Sequence, residues 1–315
     1  MQIILILAVG LLLLYYGAEA LVKGSSSMAL RLGISPLLVG LTVVAFGTSS
    51  PELVVSIKAA YLGQGDISVG NIVGSNICNI GLILGFCAMV TPIVVSSQII
   101  RFDLPIMIGV TVLALFFLHE GILVPAQGIV LFLLLVAYVA FSILISKSRS
   151  GDALGSEFAE ELKPSQRSLT FDVVMVVAGL AMLVLGARFL VDAAIEVARA
   201  LGWSEAVIGL TIVAVGTSLP EFATSLVAAV RKEADIAVGN IVGSNIFNIL
   251  GILGLSSILT PLSASGITIV DLVVMCVFAV ILWMFCLSGK RITRAEGGLM
   301  LAAYAGYILY LVAGT

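Results

Sequence analysis

Charge is the scarcest commodity in this sequence. Fifteen Lys and Arg and eighteen Asp and Glu make up 10% of its 315 residues, against roughly 25% in a soluble domain. So few charges cannot coat a water-facing surface of this size, which excludes a soluble enzyme and a disordered chain. No basic stripe exists to neutralise phosphates, which excludes a nucleic-acid binder. Histidine occurs once, at His119, and cysteine four times, at Cys78, Cys87, Cys276 and Cys286. The cysteines lie inside apolar stretches with no ligand-type spacing to His119, so they read as small packing residues with free thiols. What is present in excess is hydrocarbon: 61% of residues are hydrophobic and the mean hydropathy is +1.23. The runs are long and continuous, not short and alternating, which points to an all-α polytopic membrane protein and away from a barrel.

A bilayer-spanning helix needs about 20 apolar residues. Cutting the chain at charges, Gly and Pro predicts ten spans, roughly 1–22, 36–61, 67–91, 102–119, 122–146, 169–192, 204–230, 236–260, 268–288 and 295–313. The apolar start lacks a basic n-region and reads as part of the first span, not as a cleaved signal. The one long polar stretch, 147–168, is a surface linker. With the N-terminus outside, twelve basic residues fall on inner loops and helix ends and three, Lys58, Arg188 and Arg199, fall outside. That bias favours ten spans with both termini outside.

An internal repeat dominates the chain. Shifted by 169, Gly17–Pro92 lies on Gly186–Pro261 without a gap, with 39 identities in 76 positions. Gly47-Thr48-Ser49-Ser50-Pro51-Glu52 meets Gly216-Thr217-Ser218-Leu219-Pro220-Glu221, and Val69 through Ile77 recurs unchanged as Val238 through Ile246. The second copy starts five helices after the first. Five is odd, so the copies enter the membrane from opposite sides, as in secondary transporters that bind substrate at the midplane between inverted repeats. The expected organisation is a first five-helix repeat over 1–146, the linker over 147–168 and a second repeat over 169–315. The repeated motifs occupy 40–92 and 209–261.

Two acids, Glu52 and Glu221, stand in the middle of apolar helices, where a charge costs at least about 2.5–3.5 kcal/mol. Helical spacing puts Ala45, Thr48 and Ser49 on the face of Glu52. Pro51 has no N–H, so the Gly47 carbonyl loses its helical donor. Carboxylate, hydroxyl and carbonyl oxygens suit a hard cation such as Ca²⁺, Mg²⁺ or Na⁺. Ser75 and Asn79, like Ser244 and Asn248, are one turn apart and add further oxygens. Asn76 and Asn245 point elsewhere and read as bonds to neighbouring helices. Gly70/Gly74 and Gly239/Gly243 read as close packing, expected to bring the Ser/Asn face to the Glu-bearing helix of the same repeat.

Other polar features carry less. Gly63-Gln64-Gly65-Asp66 matches the GxGD string of intramembrane aspartyl proteases, but no second aspartate stands at membrane depth. His119 and Glu120 read as a solvated turn. Glu19/Lys23 and Arg188/Asp192 read as stabilising i,i+4 pairs at helix ends.

The sequence Gly-Thr-Ser-x-Pro-Glu followed by Gly-Asn-Ile-Val-Gly-Ser-Asn-Ile-x-Asn, in two inverted copies, resembles the alpha repeats of sodium/calcium exchangers, within the calcium/cation antiporter superfamily. The likeness runs over nearly the whole chain, with a short linker in place of the large calcium-sensing domain of animal exchangers. It implies that Glu52 and Glu221 are carboxylates shared by Ca²⁺ and Na⁺. It further implies that Thr48 and Thr217 give carbonyls to Ca²⁺, and Ala45 and Ala214 carbonyls to Na⁺. Ser49, Ser218, Ser75 and Ser244 would give hydroxyls to Na⁺, with Asn79 and Asn248 completing the centre. Proton-coupled relatives carry an acid where Gly74 and Gly243 stand, which favours Na⁺ as the coupling ion. Potassium-dependent relatives carry Asp where this chain has Asn248, so no K⁺ requirement is expected.

The function expected is exchange of Na⁺ for Ca²⁺ by alternating access in the inner membrane of a prokaryotic cell. Helices 1 and 6 are the expected moving parts. The ions and the bilayer are the only partners implied, with no catalytic residues and no cofactor. The rival readings are a proton-coupled or other divalent-cation antiporter of the same fold and, from a different class, a cation channel built around the two Glu.

Overall fold

A computed structural model describes residues 2–149, 168–200 and 214–313. Twelve helical segments are resolved among them: α1 (Gln2–Leu32), α2 (Pro36–Thr48), α3 (Ser50–Tyr61), α4 (Gly65–Val90), α5 (Ile99–Leu118), α6 (Pro125–Arg149), α7 (Leu169–Ala200), α8 (Ala214–Thr217), α9 (Leu219–Val230), α10 (Ala234–Leu259), α11 (Ile269–Leu287) and α12 (Arg294–Ala313). Eight of these are long and apolar enough to cross a bilayer by themselves, and α2 with α3 forms a ninth span bent by 48°. Most of the polar linker and the start of the seventh expected span, 201–213, lie outside the described residues.

Local sequence explains the joints. Gly33, at φ 63°, ends α1 in the left-handed conformation, and the Ile34 N–H returns to the Ala29 carbonyl at 3.0 Å. Ser35 then caps α2, its Oγ accepting from the Leu38 N–H at 3.2 Å, with Pro36 at the first helical position. α1 runs ten residues beyond the boundary expected at residue 22, because its polar groups are paired. Lys23 meets Glu19 at 2.9 Å, Ser27 donates to Asp172 at 2.9 Å, and Arg31 reaches Asp172 at 2.6 Å. Glu19 also takes Arg231, and Ser26 donates to Glu233 at 3.2 Å. α7 likewise runs past residue 192, with Arg188 and Asp192 paired at 3.8 Å on an exposed face.

α1 and α7 pack along most of their length through glycines seven residues apart. A Cβ on Gly179 would lie 2.7 Å from both the Gly17 carbonyl and the Leu21 nitrogen, and one on Gly186 2.8 Å from the Gly10 carbonyl. Without side chains there, the backbones approach closely enough for dispersion to hold them in a solvent as apolar as they are.

Short strands tie loops together at the ends of the bundle. Ile93–Val94 (β1) pairs antiparallel with Arg291–Ile292 (β4), and Ile122–Leu123 (β2) with Leu262–Ser263 (β3). Asp66, the acid of the protease-like string, accepts from the Gly266 N–H at 2.8 Å and so serves as a loop clasp. His119 and Glu120 sit in an exposed turn 3.9 Å apart. The four cysteines are free thiols.

The two copies differ at one turn. Gly63 and Lys232 follow α3 and α9 at equivalent positions and make the same bond, to Ala60 and Ala229 respectively, yet Lys232 adopts φ 65° where its counterpart is glycine. A left-handed lysine costs roughly 1–2 kcal/mol, partly offset by the entropy glycine adds to the unfolded chain. Lys232→Gly should therefore stabilise the protein by about 0.5–1 kcal/mol and raise its thermal midpoint in detergent. A lowered midpoint would contradict this.

Candidate cation-binding site

The polar hexapeptides break their helices. Ser49 (φ −81°, ψ 8°) and Ser218 (φ −86°, ψ 6°) leave helical geometry, and α3 and α9 restart one residue later with Pro at the second position and Glu in the first turn. The Ser49 N–H still reaches the Ala45 carbonyl at 3.0 Å and the Leu53 N–H reaches Ser49 at 3.1 Å. The step between them, Glu52 N–H to the Thr48 carbonyl, is not made. The carbonyl expected to be freed was that of Gly47. It accepts from the Ser50 hydroxyl at 2.7 Å, so the break releases the Thr48 oxygen instead. Each Glu sits at the positive end of a helix, where backbone dipoles favour an anion.

Both carboxylates are sealed from solvent, Glu52 at 1% and Glu221 at 0% exposure. Each is held by the opposite repeat. Ser49 donates to Glu221 Oε1 at 2.8 Å, and Ser218 donates to Glu52 Oε1 at 3.2 Å while lying 3.4 Å from the Ser75 hydroxyl. One oxygen of each acid, Glu52 Oε2 and Glu221 Oε2, has no hydrogen-bond partner, and neither do Ser244 Oγ, Asn79 Oδ1 and Asn248 Oδ1. Buried polar atoms in folded proteins are nearly always satisfied. A set of orphan oxygens gathered from both repeats is the donor set of a hard cation.

The other expected residues fall around this centre. Thr48 is buried, but the helix break turns its hydroxyl to Asn240 Oδ1 at 3.0 Å, leaving its carbonyl as its available oxygen. Thr217 is half-buried at the equivalent break. Ala45 is buried and its carbonyl accepts from Ser49, whereas Ala214 opens α8 and its side chain lies outside the described residues. Asn79 and Asn248 each begin a π-helical turn, Asn79–Leu84 and Asn248–Leu253, which widens α4 and α10 beside the acids. Among the described residues no cluster of three or more His, Cys, Asp or Glu exists. A cavity of about 1190 Å³ among the described residues is apolar. It lies beside α2 among Phe46, Phe132, Leu180 and Phe247, and neither Glu lines it.

Two features escaped sequence reasoning. Asn71 donates to the Glu52 carbonyl at 3.3 Å and to Ser56 at 2.9 Å, and Asn240 does the same to Glu221 and Ser225 at 3.4 and 3.0 Å. These asparagines brace the acid-bearing helices, and their recurrence at the 169-residue offset was the available signal. Glycine packing was expected to bring the Ser/Asn face of α10 to the Glu-bearing helix of its own repeat; α10 does lie against α9 through Asn240, but its glycine face is turned elsewhere. That face packs on α2 of the other repeat: a Cβ on Gly243 would lie 2.6 Å from the Leu41 carbonyl and one on Gly239 3.3 Å from Gly40 Cα. The two sequence repeats interlock, so contacts that look local in sequence are made between the copies.

A profile of the family described as "Sodium/calcium exchanger protein" matches the chain twice, over residues 2–144 and 171–313. Sodium/calcium exchanger MaX1 of Methanosarcina acetivorans is 34% identical over 341 residues, covering 98% of this chain and 97% of that protein. Inner membrane protein YrbG of Escherichia coli is 38% identical over 313 residues, covering 97% and 94%. A solved structure of the sodium-calcium exchanger NCX_Mj, soaked with zero Na⁺ and Ca²⁺, superposes with a TM-score of 0.85 at 34% identity, covering 98% of both chains.

Proposed function

Since the chain belongs to the sodium/calcium exchanger family, we propose that it exchanges Na⁺ for Ca²⁺ through the centre bounded by Glu52 and Glu221. The observation that carries this reading is the reciprocal cross-repeat pair, Ser49 to Glu221 and Ser218 to Glu52, with one oxygen of each acid left over. Two carboxylates are matched by one Ca²⁺ or by Na⁺ ions. Around them, the carbonyls of Thr48, Thr217, Ala45 and Ala214, the hydroxyls of Ser75 and Ser244, and the amide oxygens of Asn79 and Asn248 serve as neutral ligands. Ca²⁺ and Na⁺ are cargo. No bond is made or broken and no cofactor is required.

Alternating access follows from the charge balance. A filled site is neutral and can be covered by apolar surface. An empty one leaves two buried charges, each costing several kcal/mol, and resists the switch. The moving unit is the glycine-packed α1–α7 pair, which carries few polar side chains at membrane depth. The bent α2–α3 span and the segment ending in α8 and α9 bring the total to ten crossings in two inverted sets of five, 1–146 and 169–315, with both termini outside. The two strand pairs, and the Arg31–Asp172 pair, support this parity: each joins chain segments that ten crossings place on the same side. YrbG is an inner membrane protein by name, and the same location is proposed here for a prokaryotic cell.

Coupling is tested in proteoliposomes loaded with Na⁺, with K⁺ or at low pH, and diluted into ⁴⁵Ca²⁺. Only internal Na⁺ should drive uptake, and external K⁺ in place of choline should not change its rate. Uptake driven by a proton gradient would favour the proton-coupled reading. A K⁺ requirement would overturn the inference from Asn248, and flux without any counter-ion gradient would indicate a channel.

A further inference from the structure

Four buried asparagines link the two repeats: Asn76 and Asn245 close a ring on each other's main chain, and Asn79 and Asn248 are each held by one bond to it. Asn76 donates to the Asn245 carbonyl at 3.2 Å, and Asn245 donates to the Asn76 carbonyl at 3.3 Å. Asn79 donates to Asn245 Oδ1 at 2.9 Å, and Asn248 donates to Asn76 Oδ1 at 2.9 Å. The orientation of every amide in this group follows from chemistry. A main-chain carbonyl only accepts, so Asn76 and Asn245 must turn their nitrogens toward it. Their oxygens then face Asn248 and Asn79. Those oxygens also only accept, so Asn79 and Asn248 must present their nitrogens to the ring. Their own oxygens are left facing away from it, buried and without a hydrogen-bond partner.

From this arrangement we infer that Asn76 and Asn245 are positioning residues for cation binding: they lock the amides of Asn79 and Asn248 with oxygen, not nitrogen, presented to the ion. The inference rests on the proposed ligand role of Asn79 and Asn248 and extends it to two residues outside the ligand set. An unrestrained amide offers a cation its donor end as readily as its oxygen, and must be reoriented at each binding event. A locked one is organised in advance, as outer ligands of metal sites organise inner ones. The pairing is crosswise: Asn245 of the second repeat orients Asn79 of the first, and Asn76 orients Asn248. The ring therefore joins α4 to α10 at the level of the ions and links the two halves of the site.

The crosswise pairing gives a test that a purely structural role would not pass. Apparent KM for Ca²⁺ is measured in proteoliposomes for Asn245→Ala, Asn79→Ala, Asn248→Ala and the double variants. Asn245→Ala should raise KM by about tenfold, the lower end of the effect of removing an outer ligand, with turnover at saturating Ca²⁺ retained. In the Asn79→Ala background the same substitution should add almost nothing, whereas in the Asn248→Ala background the two effects should multiply. An unchanged KM for Asn245→Ala, full multiplication with Asn79→Ala, or equal coupling to both partners would overturn the lock while leaving the ligand assignment intact. If Asn79→Ala and Asn248→Ala bind Ca²⁺ as the unmodified protein does, the ligand assignment fails and the lock fails with it. Should Asn245→Ala not fold, Asn245→Ser supports the same cycle. Its hydroxyl keeps a polar atom in the buried site but is too short to hold Asn79.

Discussion

Glu52→Gln and Glu221→Gln should each abolish Na⁺-driven Ca²⁺ uptake while leaving the protein folded. Each substitution removes one unit of negative charge and keeps the shape of the side chain. At an effective dielectric of about 20 and a separation of about 4 Å, one unit charge is worth of the order of 4 kcal/mol to a monovalent cation and more to a divalent one. That corresponds to a loss of about a thousandfold or more in Ca²⁺ affinity. Stability should not fall with it, because a buried carboxylate with an unpartnered oxygen is costly and a neutral amide is less so. The hydroxyls of Ser49 and Ser218 can still donate to the amide oxygen of a glutamine. Transport near the unmodified rate in either variant would remove that residue from the site. Loss of transport accompanied by a collapsed thermal midpoint would mean the acids are structural.

The second large effect is expected at the α1–α7 crossing. Gly179→Ala adds one methyl where a Cβ would lie 2.7 Å from the backbone of α1 at Gly17 and Leu21. Backbone atoms cannot rotate aside as a flexible side chain can, so the helices must separate. Overpacking of this kind costs about 1–3 kcal/mol, and the thermal midpoint in detergent should drop accordingly. Gly109→Ala and Gly306→Ala are the matched controls. Among the described residues nothing lies within 4 Å of a Cβ at either position, and alanine is the better helix former. Those two should be neutral or slightly stabilising. A Gly179→Ala variant as stable as the controls would show that α1 and α7 are not held by backbone contact.

Much of this was legible before any coordinates. The membrane class followed from the lack of charge, the repeat from matched Gly, Asn, Ser, Pro and Glu, and the acids from their cost in hydrocarbon. What the sequence concealed was the partnering. A serine three residues before Glu52 reads as its helical neighbour, yet the break at Ser49 sends that hydroxyl to Glu221, 172 residues away. Helical spacing presumes an unbroken helix, and the Pro that betrays a break does not say which carbonyl it frees. The interlocking of Gly243 with Leu41 and the asparagine ring have the same origin. The two copies meet each other through contacts that one-dimensional spacing cannot express. Helix ends were misplaced for a different reason. The Glu19–Lys23 pair was legible from its spacing, but Arg31 looked like an interruption because its partner, Asp172, lies 141 residues away and could not be assigned in advance.

The central claim is that Ca²⁺ and Na⁺ occupy one pocket whose two negative charges either can neutralise. It is tested most directly by Ca²⁺ binding to the purified protein as Na⁺ replaces choline at constant ionic strength. The account predicts that Na⁺ raises the apparent Kd for Ca²⁺ without lowering the number of sites, and that it does so more steeply than first order, because more than one monovalent ion is needed to match two carboxylates. K⁺ in place of Na⁺ should leave the Kd unchanged. A Kd indifferent to Na⁺, or a fall in the number of sites at constant Kd, would contradict a shared pocket.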